Sequence, residues 1–368
     1  MKHIYFYLLM LIITPFLSTT VSAQCEGITA DSLTPTGPYE VETITREDGI
    51  ENGDFYRDAT VYYPVGAEGQ LPTIAIVPGF IEGAWAVADW GPFYASHGIV
   101  AVIIDTYTTL ETPTFRAAAL NEVLETMKLE NVRRESPLYN SLDLTKLAVS
   151  GHSMGGGGAQ IAANLNPEIK TVVALNPWHP IPGWFQNNSA VLIIAGGWDN
   201  IAPPIEHAFI HYGVTSNNMD KALVQYTFGT HFVGNSPKFN GGDVGKVALA
   251  WVKKFLVGDD CYCSVLKDDL LKPTFLQAIV DSNFTCNEEV LPNDPPTEPT
   301  LKVYPNPVTD VLYVDGFKNG DYALIDQNGQ VMKTGTLTKN MNSINVYKLK
   351  KGIYYLQIDK TSEKIIVQ

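Results

Sequence analysis

The sequence is poor in the residues that mark several protein classes. Its 368 residues include only 4 cysteines, and 25 lysines and arginines are outnumbered by 39 aspartates and glutamates, for a formal net charge of -14. A field of that sign repels nucleic acid and anionic membranes, so we expect neither as a partner. After residue 23 no segment is long and apolar enough to span a bilayer. The length and the 45% of hydrophobic residues instead suit one large domain and a small one.

The first residues, 1–23, predict a secretory signal peptide. They have a basic start, an apolar middle of roughly a dozen residues and the small residues VSA at the cleavage positions. The alternative is a membrane anchor, but Thr14 and Pro15 interrupt the apolar run. We therefore expect an exported protein.

All four cysteines lie in the exported part, where an oxidising medium favours two disulfides. One residue separates Cys261 from Cys263, so a bridge between these two is geometrically unfavourable and two pairings remain. Of these we prefer Cys25 with Cys261 and Cys263 with Cys286. The competing zinc site lacks a CxxC pair and a nearby histidine.

Strand-like and helix-like segments alternate through the predicted catalytic domain, 24–286. Alternating polarity and Asp-Gly and Asn-Gly turns predict antiparallel leading strands between residues 39 and 64. Short apolar runs then predict buried parallel strands at 71–80, 98–106, 147–150, 170–178, 190–199 and 222–232. This order predicts an α/β fold with a mostly parallel twisted sheet, helices on both faces and no large lid. The G-x-S-x-G motif at residues 151–155 makes it an expected α/β-hydrolase fold.

The character of the sequence changes after residue 286. Residues 287–300 are rich in proline and acidic residues, which is typical of an exposed linker. Residues 301–368 show short alternating strands separated by turn residues, which predicts a small all-β sandwich.

One stretch indicates the chemistry. Residues 151–155, GHSMG, match the pattern G-x-S-x-G, between a strand-like LAVS and a helix-like AQIAANL. This strand-turn-helix setting is that of the nucleophile elbow, in which a strained turn exposes the serine hydroxyl. The alternative is a glycine-rich turn with an incidental serine. We predict that Ser153 is a nucleophile.

A nucleophilic serine needs a base and a group that orients the base. In the chain order Ser, Asp or Glu, His, the acid follows a late strand and the histidine follows the last one. Asp199 and His231 occupy those positions, at the sheet edge where Ser153 is expected. Glu206 is a weaker alternative acid. Of the other histidines, His97 is expected in a surface helix turn, whereas those at 152, 179, 207 and 211 are expected to line or support the cleft.

The tetrahedral intermediate requires two N–H donors for its oxyanion. We expect these to be the backbone amides of Met154, directly after the nucleophile, and of Phe80, in the loop after the strand at 71–80. The aromatic rings of Phe80 and Trp178 both follow strands near this point. They predict a clamp for an aromatic or acyl group, with simple core packing as the alternative.

Six short segments together carry a resemblance: PGF at 78–80, DT at 105–106, GHSMGGGG at 151–158, NPWH at 176–179, WDNIAPP at 198–204 and THF at 230–232. In this order they resemble the bacterial cutinase and polyethylene terephthalate hydrolase family, within the dienelactone-hydrolase-like α/β-hydrolases, over roughly residues 34–286. The resemblance implies a secreted serine esterase without metal or cofactor that cleaves polyesters and small esters through an acyl-enzyme on Ser153. A general carboxylesterase or feruloyl-type carbohydrate esterase is the alternative, and an inactive adhesin is a more distant one.

The resemblance also implies roles for individual residues. By this resemblance, Ser153 is the nucleophile, Asp199 the orienting acid and His231 the base. The amides of Phe80 and Met154 are the oxyanion donors. Trp178 is the aromatic wall of the site, Ile201 an apolar wall, and His207 the histidine behind the tryptophan. The sequence departs from the family in Phe80, where many members have tyrosine, and in His211, where a larger apolar residue is usual. The loop around Trp85 and the additional cysteine pair also differ. We expect Phe80, Trp178 and His211 to form a shallow cleft in a monomeric enzyme.

The final domain resembles a second family, the C-terminal sorting domains of the type IX secretion system of Bacteroidetes. The resemblance rests on VYPNPVTDVLYV near its start and GIYYLQI near its end. It implies that the type IX machinery is a partner and that the protein crosses the outer membrane. The alternative, a carbohydrate-binding module, requires an exposed platform of Tyr322, Tyr354 and Tyr355.

Overall fold

The computed structural model describes residues 25, 27–182, 189–286, 302–315, 320–326, 330–338, 342–358 and 361–368. The predicted signal peptide and linker lie outside these residues. The chain divides into two units, Met1–Glu288 and Glu289–Gln368. Within the described parts, none of the helices has both the length and the apolar character needed to cross a membrane.

The first unit is built on one sheet. Its strands are β1 (Val41–Ile44), β2 (Tyr56–Pro64), β3 (Leu71–Val77), β4 (Val100–Thr106), β5 (Leu142–His152), β6 (Ile169–Leu175), β7 (Ala190–Gly196), β8 (Lys221–Tyr226) and β9 (Gln277–Asn283). Their spatial order is β1-β2-β4-β3-β5-β6-β7-β8-β9. Strands β4 to β8 in this order are parallel, whereas β1, β2 and β9 are antiparallel to their neighbours. The mostly parallel sheet is confirmed, but β9 was not predicted.

Helices cover both faces of the sheet, as predicted. They are α1 (Trp90–Ser96), α2 (Pro113–Glu130), α3 (Met154–Leu165), α4 (Ala208–Val214), α5 (Asp243–Val252) and α6 (Tyr262–Ser264). Short 3₁₀ turns occur at Ala30–Ser32, Arg46–Asp48, Ala84–Ala86 and Phe239–Gly242, and π-helical turns at Lys253–Val257 and Val265–Leu270. One core contains Trp90 of α1 and Trp251 of α5, and the core on the opposite face contains Leu120 of α2 and Ala159 of α3. Strand β3 is buried along its whole length because both faces are covered.

Two details bear on the sequence predictions. His97 does not lie at the surface: it is buried after α1, and its Nδ1 is 2.8 Å from the Phe93 carbonyl oxygen. The expectation failed because a helix end packed into the core shields the ring. The absence of a large lid stays a prediction, since residues 183–188, between β6 and β7, lie outside the described residues.

The cysteines form the preferred pairs, Cys25 with Cys261 and Cys263 with Cys286. Each bond consumes the thiolates that a zinc site would need, which removes the competing interpretation.

The second unit is the predicted small sandwich. One sheet contains β10 (Lys302–Tyr304), β11 (Val311–Asp315) and β14 (Ser343–Asn345), and the other contains β12 (Gly320–Asp326), β13 (Val331–Leu337), β15 (Gly352–Ile358) and β16 (Thr361–Val367). Leu312, Leu324 and Leu356 belong to its shared core. Tyr322 and Tyr354 are buried in that core, so the platform that a carbohydrate-binding module would need is not formed.

Candidate active site

Ser153 lies in a strained turn between β5 and α3. Its φ of 54° and ψ of -119° place it in a region that residues with a side chain rarely occupy. A side chain on Gly151 would overlap the carbonyl group of Gly155, and one on Gly155 would overlap the Val77 carbonyl oxygen. The two glycines of the pattern are therefore required by close backbone contacts, as the elbow predicts.

Ser153, Asp199 and His231 lie together at the carboxyl ends of β5, β7 and β8. Nδ1 of His231 is 2.8 Å from Asp199 Oδ2, and its Nε2 is 2.9 Å from the Ser153 hydroxyl oxygen. A carboxylate can only accept, so Nδ1 carries the hydrogen and donates it to Asp199. Nε2 is then free to accept from the Ser153 hydroxyl, which is the arrangement that general-base catalysis needs.

The Asp199 carboxylate accepts further hydrogen bonds that fix its position. Oδ1 accepts from the amides of Ile201 (3.0 Å) and Ala202 (2.8 Å), and Oδ2 accepts from Asn176 Nδ2 (3.0 Å). Burial raises the pKa of Asp199, but its bonds with His231 and these other donors outweigh burial and lower the pKa below its usual value. The group is thus ionised and held from several directions.

The two backbone amides expected to donate to the oxyanion make no other hydrogen bond among the described residues. Neither the amide of Met154 nor that of Phe80 donates a hydrogen bond to a described protein group. A side chain on Gly79, the residue before Phe80, would lie 2.8 Å from Ser153 Cβ, so this loop passes directly against the nucleophile. Both amides are therefore free of other described hydrogen bonds, and their role as oxyanion donors stays a prediction.

The run of glycines at the start of α3 lets other backbone segments approach the elbow. A Cβ on Gly157 would lie closer than 3.0 Å to the Trp178 carbonyl oxygen, and one on Gly158 would lie 2.9 Å from that of Pro113. The amide of Trp178 donates to the Ser153 carbonyl (2.9 Å). The loop after β6 is therefore bound to the elbow itself.

Comparison with known proteins is decisive at this point. Residues 25–286 match the model of a family described as PET hydrolase-like. The chain belongs to this family. Among curated proteins, it is 36% identical over 231 residues to Cutinase 2 of Thermobifida cellulosilytica, which covers 62% of this chain and 84% of the relative. It is 31% identical over 227 residues to a bis(hydroxyethyl) terephthalate hydrolase of Streptomyces coelicolor, which covers 61% of this chain and 70% of the relative.

The second unit also matches a known family. Residues 302–368 fit the model of the secretion system C-terminal sorting domain. The protein is accordingly a carboxylic ester hydrolase of the PET hydrolase-like family that type IX secretion delivers to the cell surface or the medium.

In this PET hydrolase-like site, the side chains expected to meet substrate differ in exposure. Phe80 and Ile201 are 44% and 52% exposed, and Trp178 is half-buried with its ring centroid 5.6 Å from that of His207. His207 is buried, and burial lowers its pKa. Phe80, Ile201 and Trp178 therefore reach the surface, whereas His207 lies buried beside the tryptophan.

His211 does not reach this surface. Its ring is 0% exposed and its Nδ1 is 3.1 Å from Gln160 Nε2 of α3. Burial lowers the pKa of His211 to about 3, so the ring is neutral. The expectation that His211 forms a wall of the cleft is wrong, because α4 directs it into the protein.

The sequence predictions also missed contacts of the site. Asn176, at the end of β6, donates to Asp199 and accepts from the Gly234 amide (3.1 Å), which joins two loops of the site. Its position after a parallel strand was a signal that could have suggested a role. Glu82 and His152, the latter within the elbow, form a buried pair that no spacing pattern could have predicted.

Proposed function

We propose that the protein hydrolyses the ester bonds of polyesters, of the cutin or polyethylene terephthalate type, and of small esters, through an acyl-enzyme on Ser153. The hydrogen-bonded series from the Ser153 hydroxyl through His231 to Asp199 is the observation that carries the proposal. The relatives named as cutinases and as a bis(hydroxyethyl) terephthalate hydrolase support the substrate class.

The reaction proceeds in two halves. His231 takes the Ser153 proton as the oxygen attacks the ester carbonyl, and Asp199 stabilises the resulting imidazolium. The amides of Phe80 and Met154 stabilise the oxyanion, and His231 returns the proton to the departing alcohol. A water molecule, activated by the same histidine, then attacks the acyl-enzyme, and the acid is released as Ser153 recovers its proton.

The surface around the nucleophile supports a bulky, apolar substrate. Phe80, Ile201 and Trp178 leave apolar area exposed beside Ser153, where an aromatic or aliphatic acyl group would gain from burial. Such a surface is suited to a polymer chain lying across it rather than to a small molecule enclosed within it.

Replacing the nucleophile tests the reaction. Ser153→Ala should abolish p-nitrophenyl butyrate hydrolysis, whereas the matched change Ser264→Ala, at an exposed serine of α6, should not change it. Wild-type turnover by Ser153→Ala would exclude the proposed nucleophile.

Product release from an amorphous polyester film, compared with release from a feruloylated sugar, tests the substrate class. Preference for the sugar ester would favour the feruloyl-type alternative.

The predicted monomer is supported by the net charge of -14, which opposes self-association, and light scattering on the full chain tests it.

A further inference from the structure

A second acid–histidine pair lies beside the proposed triad. Glu82, in the loop after β3, places Oε2 2.7 Å from Nδ1 of His152. The His152 ring is 0% exposed, Glu82 is 7% exposed, and the centroid of the His152 ring is 4.8 Å from that of His231. Two buried carboxylate–imidazole pairs thus lie side by side, and the proposed mechanism uses only one.

The neighbours of His152 require a positively charged ring. Its Nδ1 faces the Glu82 carboxylate, and its Nε2 is 2.7 Å from the backbone carbonyl oxygen of His231. Both partners can only accept hydrogen bonds, so both nitrogens must carry hydrogen. The result is an imidazolium paired with a carboxylate, and it donates to the backbone of the proposed base.

The same carboxylate orients the loop that contains the proposed oxyanion donor. Glu82 Oε2 accepts from the Gly79 amide (2.7 Å), and Arg116 Nη1 donates to the Pro78 carbonyl oxygen (2.8 Å). These two backbone groups belong to one peptide unit, which is therefore held at both ends by opposite charges. The next peptide unit presents the amide of Phe80, so its direction depends on this contact.

Glu82 also reaches the loop of the proposed base. Its Oε1 accepts from Asn235 Nδ2 (3.1 Å), four residues after His231. Burial raises the pKa of Glu82, but its bonds with His152, Asn235 and the Gly79 amide outweigh burial and lower the pKa to about 2. The carboxylate is therefore ionised at neutral pH.

We propose that Glu82 is a positioning residue that keeps His152 protonated and thereby holds the oxyanion loop and the His231 loop in their working arrangement. This rests on the proposed function, because the roles of Phe80 and His231 are taken from it. Among the described charged groups, Arg116 on α2 lies in the fields of both Glu82 and Asp105, the latter at the end of β4, and the ring of His231 lies beside that of His152.

Removing the charge should produce a pH-dependent defect. In Glu82→Gln a neutral amide replaces the carboxylate that pairs with the imidazolium, so the charged ring is no longer favoured over the neutral one by that partner. The neutral ring has one hydrogen, which it uses toward either the His231 carbonyl or residue 82. If Nε2 keeps it, Nδ1 can only accept, so the amide at position 82 must turn its NH2 group toward Nδ1 and that group then opposes the Gly79 N–H donor. If Nδ1 keeps it, Nε2 and the His231 carbonyl oxygen face each other as two acceptors. At lower pH the ring regains its second hydrogen and both bonds return.

The kinetic test compares Glu82→Gln with Glu111→Gln. Glu111 also lies in the field of Arg116, but its carboxylate accepts from the Thr108 amide (3.1 Å), outside the elbow. For Glu82→Gln we expect kcat to fall roughly 10- to 100-fold at about pH 9, with KM changed less than about threefold and a smaller loss at about pH 6. Glu111→Gln should show neither effect. A pH-independent loss, or an equal loss in the control, would overturn the proposal.

A spectroscopic test needs no Glu82 variant and no activity. Long-range ¹H–¹⁵N spectra of the wild type and of Ser153→Ala should show His152 with hydrogen on both nitrogens at about pH 8. A neutral His152 would overturn the proposal even if hydrolysis proceeds as described. Conversely, if Ser153→Ala remained active, the proposed function would fail while the charged state of His152 was decided independently.

Discussion

Replacing Gly157 by alanine tests how closely the elbow and the Trp178 loop depend on each other. The added Cβ would lie closer than 3.0 Å to the Trp178 carbonyl oxygen, whereas ordinary contact begins at 3.4 Å. The amides of Gly157 (3.1 Å) and Trp178 (2.9 Å) both donate to the Ser153 carbonyl oxygen. The loop therefore cannot withdraw without loosening a bond to the nucleophile's own peptide.

The size of the effect follows from these contacts. Relief of the overlap requires a displacement on the order of 0.5–1 Å, and misplacement by about 1 Å lowers rates by up to about 100-fold. Alanine favours a helix over glycine by about 1 kcal/mol, while overpacking costs about 1–3 kcal/mol. We expect a kcat/KM for p-nitrophenyl butyrate that is roughly 10- to 100-fold lower, with a free energy of unfolding reduced by at most about 2 kcal/mol.

Gly213→Ala provides the control, because this glycine of α4 has no neighbour within 4 Å of an added Cβ. The free energy of unfolding of Gly213→Ala should rise by up to about 1 kcal/mol, and its kinetics should not change. Steady-state kinetics and denaturant unfolding on both variants give the comparison. If Gly157→Ala kept kcat/KM within about twofold of the wild type, the Trp178 loop could move without displacing the nucleophile. The expected dependence of the rate on the position of this loop would then be refuted.

Three further predictions concern the triad, the disulfides and acid stability. Asp199→Asn replaces an acceptor by a donor and favours the wrong tautomer of His231, so kcat should fall about 10⁴-fold, and a loss of less than about tenfold would contradict the assigned role. Serine substitution at both Cys25 and Cys261 removes a bridge whose cysteines have a sequence separation of 236, whereas the same change at Cys263 and Cys286 removes one with a separation of 23. Chain entropy predicts losses of up to about 5 and about 3 kcal/mol respectively, and the reverse order in urea unfolding would count against it. The pKa of Glu82 is about 2 in the folded protein and 4.5 ordinarily, so the ionised group stabilises the folded state. This contribution to the free energy of unfolding is present above pH 4.5 and is lost as the pH falls toward 2. Denaturant unfolding at stepwise lower pH should show that the free energy of unfolding falls by up to about 3 kcal/mol over this range, and by less in Glu82→Gln. Equal pH dependence of the free energy of unfolding in the two proteins would exclude this contribution of Glu82.

The parts of the site that were predictable are those that chain order and sheet topology determine. Parallel strands deliver their carboxyl ends to one edge, so a serine, an aspartate and a histidine after successive strands meet there without further information. Strand β9 could not be found in this way. It is an edge strand whose residues from Ala278 to Asn283 are half-buried or exposed, so no continuous apolar run marks it.

The distinction between the two buried histidines was not predictable, and it depends on single atoms. Both rings donate from Nδ1 to a carboxylate, Asp199 for His231 and Glu82 for His152. Nε2 of His231 faces a hydroxyl, which can donate, so that ring can be neutral and accept a proton from Ser153. Nε2 of His152 faces a carbonyl, which only accepts, so that ring must hold both hydrogens. Glu82 lies 70 residues from His152 and 153 from Asn235, and no local pattern records that they meet. Whether a histidine beside this serine acts as a base or as a fixed cation therefore depends on the atom that tertiary structure brings to Nε2.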